Sequence, residues 1–316
     1  MYDVLIIGLG AAGYTAAIYA ARYKLSVFIV GAEEGGMGMT AVEVGNWPGD
    51  IDVKGPDLME RFRQHALSFG DAVSHRLSHV KSVERVPDGT FVLHLDGGDT
   101  VQGRSVIFAM GSYKRHLGVP GEEEFSGKGV TYCATCDAFF YRGKDVAVIG
   151  GGDSAVEGAA ITAQVANKVY LIHRRGEFRA EPYWVDEVRR KKNVEFVLER
   201  TVAEIVGEQT VCAVRLDKEW NGAQEIPVAG VFIEVGSVPA TDLAKDMGCV
   251  LDERAFLRVD AGMRTSLEGV FGAGDVTNGS NHFAQFTTAA GEGAIAANSV
   301  FAYLQSRPVE GSMGGG

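Results

Sequence analysis

Val4-Leu5-Ile6-Ile7-Gly8-Leu9-Gly10-Ala11-Ala12-Gly13 runs from four apolar residues into a glycine turn, and Tyr14-Thr15-Ala16-Ala17-Ile18-Tyr19-Ala20-Ala21-Arg22 continues it as a helix former. Strand, glycine turn and helix in that order open a dinucleotide-binding βαβ unit. Gly8 permits the tight turn, Gly10 lets backbone approach a pyrophosphate, and Gly13 lets helix pack on strand, with phosphate at the positive helix end. A lone G-x-G-x-x-G carries little weight. Here a second strand, Ser26-Val27-Phe28-Ile29-Val30, follows it as the unit requires.

The same unit is written a second time. Asp145-Val146-Ala147-Val148-Ile149 leads into Gly150-Gly151-Gly152-Asp153-Ser154-Ala155, a helix over 156–166 and the strand Lys168-Val169-Tyr170-Leu171-Ile172. The offset that carries Gly8 onto Gly150 also carries Gly10 onto Gly152 and Gly13 onto Ala155. Two in-phase copies are far harder to obtain by accident than one, so the chain reads as α/β with two dinucleotide sites.

The copies diverge where a ribose is read, at the end of the second strand. In the first copy that position is Gly31, with Glu33 and Glu34 just beyond, and a carboxylate there accepts from free ribose hydroxyls. In the second it is His173, followed by Arg174, Arg175 and Arg179. Clustered guanidiniums without an acid suit a 2′-phosphate, because arginine grips phosphate with a rigid charged fork, so this copy is expected to take NADPH over NADH. The plainer alternative is a solvated basic turn.

Between strand-like segments lies Cys133-Ala134-Thr135-Cys136-Asp137. Two cysteines two residues apart can close a small ring, and C-x-x-C lowers one thiol's pKa toward neutrality. Half of a zinc site is the competing reading, but tetrahedral zinc needs four ligands. Cys212, in an apolar run, and Cys249, after a glycine, read as lone small apolar side chains, so a redox pair is favoured.

The rest of the chain bounds the partners. With 316 residues, 46% apolar and 22% charged, it has material for two domains with sizeable cores. A net charge of −11 argues against a nucleic-acid partner. The first strand starts beside Met1 with no basic leader, and no apolar run approaches membrane-spanning length, so a soluble cytoplasmic protein is expected. Residues 35–50 read as a loop, 56–70 as a helix, and 72–94 with 100–109 as strands of a small antiparallel sheet. Later, 191–206 and 211–216 read as strands with turns, 228–235 as a strand, and 285–303 as an alanine-rich helix. His75 and His79 share a face if extended but lie too far apart for one metal. The tail Gly311-Ser312-Met313-Gly314-Gly315-Gly316 has nothing to bury and is expected to be disordered.

From near residue 2 to near residue 304 the chain resembles the low-molecular-weight thioredoxin reductases. The resemblance is carried by the first glycine motif, Gly35-Gly36, Asn46-Trp47-Pro48-Gly49, the cysteine motif, Gly150 to Glu157, His173 to Ala180, and Gly272-Ala273-Gly274-Asp275-Val276. It implies two Rossmann-like domains of three-layer ββα build. An FAD domain (1–115 and 239–316) would be interrupted by an NADPH domain (116–238) that carries the cysteine pair, and the whole would form a homodimer. For FAD it implies Gly8, Gly10, Ala11, Ala12, Gly13, Gly31, Glu33, Gly36, Met37, Thr40 and Asn46 from the first segment. Ala109, Gly111, Gly274, Asp275, Ala284, Gln285 and Phe286 complete that set. For NADPH it implies Gly150, Gly152, Asp153, Ser154, Ala155, His173, Arg174, Arg175 and Arg179.

By the same resemblance Cys136 faces the flavin, Cys133 attacks a partner disulfide and Asp137 protonates the leaving thiolate; a merely solvated Asp137 is the alternative. The expected activity is NADPH-dependent reduction of thioredoxin or a thioredoxin-like redoxin. Rotation between the domains is expected near Gly118-Val119-Pro120 and Gly236-Ser237, because the cysteine pair has to serve both flavin and protein substrate. Competing readings are a ferredoxin-dependent or oxygen-dependent dithiol flavoenzyme and a non-catalytic redox sensor. The chain departs from the family pattern at Ala12 for a proline, Met37-Gly38-Met39 for a more polar stretch, Ala138 for a glycine, and Ala284 for an arginine.

Overall fold

The computed structural model of the chain describes residues 1–41 and 44–307, without side chains at Thr135 and Cys136. The glycine-rich tail expected to be disordered lies outside the described residues. The chain divides into two compact units, Met1–Tyr113 with Pro239 onward, and Lys114–Val238.

The first unit is built on a five-stranded parallel sheet in the order Val270–Gly272, Val106–Phe108, Val4–Leu9, Val27–Glu34, Val73–Leu77. Alternate side chains of one strand enter different cores, as the period of two demands. Val4 and Ile6, with Val27 and Ile29, join the helices Ala11–Arg22 and Phe286–Gln305. Leu5 and Ile7, with Phe28 and Val30, join Phe91, Leu93 and Leu95. Those last residues belong to an antiparallel sheet of Val80–Arg85, Phe91–Leu95 and Thr100–Gly103, so the layers are helix, parallel sheet, antiparallel sheet.

Val73–Leu77 and Val106–Phe108, expected in the antiparallel sheet, pair instead within the parallel one. For Val106–Phe108 the reason is burial. Val106, Ile107 and Phe108 are covered on both faces, and a strand covered on both faces carries no alternation to mark its direction of pairing.

The second unit repeats the plan. Its parallel sheet runs Val194–Leu198, Lys168–His173, Asp145–Ile149, Gly230–Ile233, Val130–Thr131. Val146 and Val148 pack under the helix Asp153–Thr162, while Ala147 and Ile149 face Ile205, Val214 and Ile226 of an antiparallel sheet. That sheet comprises Val202–Gly207, Val211–Trp220 and Ala223–Pro227. Within the stretch 191–206, Val194–Leu198 is thus the edge of the parallel sheet and only Val202–Gly207 is antiparallel.

The chain passes between the units at Tyr113–Lys114 and at Val238–Pro239. Gly118, expected to flex, is anchored: Glu122 accepts the amides of Leu117 at 2.9 Å and Gly118 at 2.6 Å. Burial opposes the charge on Glu122, but those two amides and the Tyr132 hydroxyl hold its carboxyl below the usual range.

Candidate functional site

Each glycine of the first turn meets a different physical demand. Gly8 has φ of +125°, and a Cβ there would lie 2.0 Å from the Ala109 carbonyl oxygen. At Gly13 a Cβ would lie 1.9 Å from the Gly8 oxygen, so helix and strand can approach only through glycine. Gly10 is different: its nearest neighbour would be the Gly35 oxygen at 4.0 Å, which leaves open space over the helix start. That is a cradle a pyrophosphate fits and a side chain would fill. Gly36 and Gly111 are equally open, both at positive φ. Ala11 and Ala12 are buried, Ala12 under Gly274 and Gly293, where a Cβ on Gly293 would meet its carbonyl oxygen at 2.3 Å.

At the end of strand Val27–Glu34, Gly31 has no room for a side chain beside Leu9. Glu34 is engaged by the Tyr14 hydroxyl and by His75 Nε2 at 2.9 Å, whereas Glu33 is exposed and makes no side-chain hydrogen bond or ion pair among the described residues. Glu33 is therefore the carboxylate open to a ribose. His75, weighed as a metal ligand, works inside this Tyr14 network, and among the described residues no cluster is arranged to hold a metal ion. His79 is exposed.

Three segments far apart in the chain meet at the start of helix Phe286–Gln305. Asn46 Nδ2 donates to Gln285 Oε1 at 2.9 Å, and Gln285 caps the helix in a reciprocal box with Thr288. Gly38 lies against Met59 and Phe286, flanked by the exposed Met37 and Met39, while Thr40 turns its hydroxyl onto the Met37 carbonyl at 2.9 Å. Ala284 is exposed. Before it, Ser280, Asn281 and His282 all have positive φ, a strained run clamped by His282 Nε2 to Asp252 Oδ2 at 2.8 Å. Burial opposes ionisation of Asp252, yet His282 and the Phe256 and Arg254 amides hold it below its usual range.

Asp275 is pushed up to about 6, first by burial and then by the charge of Glu292. Glu292 was not singled out from sequence. It is 4% exposed and accepts the Gly274 amide at 2.8 Å and the Thr277 hydroxyl at 3.0 Å, tying the turn that carries Asp275 to the helix. The signal was available: Glu292 is the sole charged residue of Phe286–Gln305.

In the second unit Gly150 has φ of +145° with a Cβ site 2.2 Å from the Glu234 carbonyl, while nothing lies near Gly152. Ala155 takes the third position fully buried, Ser154 is exposed, and Asp153 Oδ1 accepts the Glu181 amide at 2.6 Å. His173 is 5% exposed, lies over Gly151 and stacks on Phe178 with centroids 5.7 Å apart. Its Nε2 has no partner among the described residues, and burial, with Arg179, Arg175 and Arg174 nearby, holds it below its ordinary value. Those arginines are exposed and make no side-chain hydrogen bond or ion pair among the described residues, and the Arg179 amide binds the Gly151 carbonyl at 2.7 Å. Exposed guanidiniums, that of Arg179 on a residue whose amide is bonded to the glycine turn, fit a phosphorylated ribose.

Cys133 is in a disulfide; the side chain of Cys136 lies outside the described residues. Cys249 is buried, and burial pushes its thiol up, but Cys212, read as an apolar side chain, is exposed on its strand. The cysteine motif forms the single-turn helix Ala134–Asp137. Thr131 clamps it, donating its hydroxyl to Asp137 Oδ2 while accepting the Cys133 amide at 3.2 Å. Just beyond, Phe139 and Phe140 are 70% and 76% exposed.

Two glycine-turn units, one with a disulfide, define a flavin- and pyridine-nucleotide-linked redox class. The chain belongs to the pyridine nucleotide-disulphide oxidoreductase family, whose model matches residues 2–293. It is 42% identical to the thioredoxin reductase of Mycolicibacterium smegmatis over 300 residues, 94% of each chain. It is also 42% identical to the thioredoxin reductase of Escherichia coli O157:H7 over 314 residues, 95% of each. Among solved structures, Lactococcus lactis thioredoxin reductase in its FR conformation superposes with a TM-score of 0.91 at 33% identity, covering 97% of this chain and 100% of that one. The family's cofactors are FAD and NADPH.

Proposed function

We infer that this chain is an NADPH-dependent flavoprotein disulfide reductase acting on thioredoxin. The observation that carries the reading is the disulfide-bonded Cys133, held on a unit that also bears an open glycine turn and three exposed arginines without an ion pair among the described residues. FAD would be held at Gly8, Gly10 and Gly13, with Glu33 on its ribose and Asp275, Asn46 and Gln285 around the rest. NADPH would be held at Gly150 and Gly152, with Arg174, Arg175 and Arg179 on its 2′-phosphate and neutral His173 offering its free Nε2. When bound, the flavin would supply the conversion of a hydride from NADPH into an electron pair for a disulfide.

The residues' own part begins with the reduced pair. Cys133 thiolate attacks one sulfur of the partner disulfide, and the displaced sulfur leaves as thiolate and takes the proton held at Asp137. Cys136 then attacks Cys133, which frees the second partner thiol and reforms the internal disulfide, so two electrons have passed to the partner. Thr131 fixes Asp137 and the Cys133 backbone together for this exchange. Exposed Phe139 and Phe140 offer apolar surface beside it.

Because the cysteine pair must exchange electrons with a flavin on the first unit and then meet a second protein, the units have to reorient about Tyr113–Lys114 and Val238–Pro239. A homodimer and a cytoplasmic location belong to the same reading. No helix among the described residues is long and apolar enough to cross a membrane.

The test is a steady-state assay of purified Cys136→Ser beside the wild type, with NADPH or NADH and a panel of redoxins. NADPH is expected to bleach the flavin in both, with thioredoxin turnover in the wild type alone. Turnover by the serine variant contradicts the cysteine assignment. Reduction once without turnover in the wild type indicates a sensor, and activity without any nucleotide preference removes the 2′-phosphate reading.

A further inference from the structure

A carboxylate outside every motif described above is buried against the backbone of the cysteine turn. Glu234 directly follows the strand Gly230–Ile233 and is 6% exposed. Its Oε1 accepts the amide hydrogen of Ala134 at 3.1 Å, and its Oε2 accepts from Lys114 Nζ at 2.8 Å. Ala134 is bonded to Cys133, and Lys114 is the first residue of the second unit. The Cys133–Ala134 peptide has little freedom to move, for Ala134 is 1% exposed and a Cβ on Gly158 would lie 2.7 Å from its side chain.

We propose that Glu234 is a positioning residue for the dithiol, fixing the Cys133–Ala134 peptide and, together with Lys114, setting how readily the reduced pair gives up a proton. The proposal rests on the disulfide-reductase reading and deepens it. Reduction breaks the S–S bond with two electrons and leaves two sulfurs that persist as thiolates or take protons from water. A carboxylate beside them disfavours the thiolate, and an ammonium favours it. Joining the two in one pair makes the balance depend on Lys114, where the chain enters the unit. Burial raises the Glu234 carboxyl above its ordinary range, while Lys114 and the Ala134 amide draw it back.

Lys114 is the one titratable group hydrogen-bonded to Glu234 among the described residues. Around the cysteine turn stand Asp137 and Tyr132 on its own segment and Tyr141 just after it. Glu122 and His116 reach it through the Tyr132 hydroxyl, and Glu157 precedes Gly158 on the packed helix.

Glu234→Gln keeps an oxygen for the Ala134 amide and removes the charge. In the reduced holoenzyme, iodoacetamide alkylation rates against pH are expected to show the apparent thiol pKa lowered by about one unit. In glutathione redox buffers the pair is expected to shift up to about ten-fold toward the dithiol, about 30 mV. Flavin content and melting temperature are expected to stay at wild-type values. Profiles that superimpose on the wild type overturn the proposal.

A second measurement needs no variant, because coupling is reciprocal. In wild-type enzyme followed by carboxyl-carbon NMR, the Glu234 signal of the reduced form is expected to show an added step at the pH where the thiols ionise, a step that the oxidised form lacks. Identical titration in both redox states also overturns the proposal. Absence of thioredoxin turnover in the wild type with these shifts present would instead count against the reductase reading alone.

Discussion

Asn46 Nδ2 and Gln285 Oε1 lie 2.9 Å apart although 239 positions separate them in the chain. The bond joins the Asn46-Trp47-Pro48-Gly49 loop to the cap of helix Phe286–Gln305, so two stretches of the expected flavin set support each other within the first unit. Gln285 keeps its Thr288 partner when Asn46 is lost, so the helix survives the deletion. Asn46→Ala is therefore expected to weaken FAD retention by about five-fold, the value of one neutral hydrogen bond of about 1 kcal/mol. Fluorescence titration of apoprotein with FAD measures it, and unchanged affinity would separate this bond from the flavin site.

The two inner glycines of the first turn separate folding from binding. At Gly10 the backbone is extended and the space open, so Gly10→Val is expected to fold normally and lose FAD. At Gly13 the added carbon would lie 1.9 Å from the Gly8 oxygen, so Gly13→Ala is expected to cost about 1–3 kcal/mol of stability. Gly152→Val is the counterpart in the second unit, losing NADPH while keeping FAD. Thermal melts with and without each cofactor distinguish the three.

Arg174 and Arg175 are exposed and make no ion pair among the described residues, so removing them leaves no buried charge behind. Arg174→Ala with Arg175→Ala is expected to lower kcat/KM for NADPH on the order of 10–100-fold, chiefly through KM, and for NADH less than about two-fold. Equal losses with both nucleotides would return these residues to a solvated basic turn.

Asp275 carries a pH signature. Its carboxyl is raised from 3.8 to about 6 in the folded protein, so the protonated form is the one that folding favours. Its contribution is fully present below about pH 3.8 and is lost as pH rises through about 6, a swing of about 3 kcal/mol. Urea unfolding of the wild type and Asp275→Asn is expected to diverge across that window and run parallel above it. Parallel curves throughout would mean that Asp275 is not perturbed.

Much of the site was legible because its chemistry is local. A glycine turn, its strand and its helix lie within about twenty consecutive residues, as do the cysteine pair and its acid, and local sterics suffice to read them. Glu292 and Glu234 escaped notice for the opposite reason. Each is one acid among 41 acidic residues, and its importance comes from burial against Gly274 or Ala134, partners distant in the chain. Cys212 is a free cysteine as its sequence suggested, but its apolar run left open which side of the strand faces solvent.

The residues alone settled that this is an α/β chain with two dinucleotide turns and a dithiol, since each motif is held together by neighbours in sequence. Tertiary structure alone decided which strands join the parallel sheets and which carboxylates are buried. Strand partners and burial are properties of packing between distant segments, and a short apolar stretch such as Val106–Phe108 serves equally well beside a parallel or an antiparallel neighbour until the rest of the core is in place.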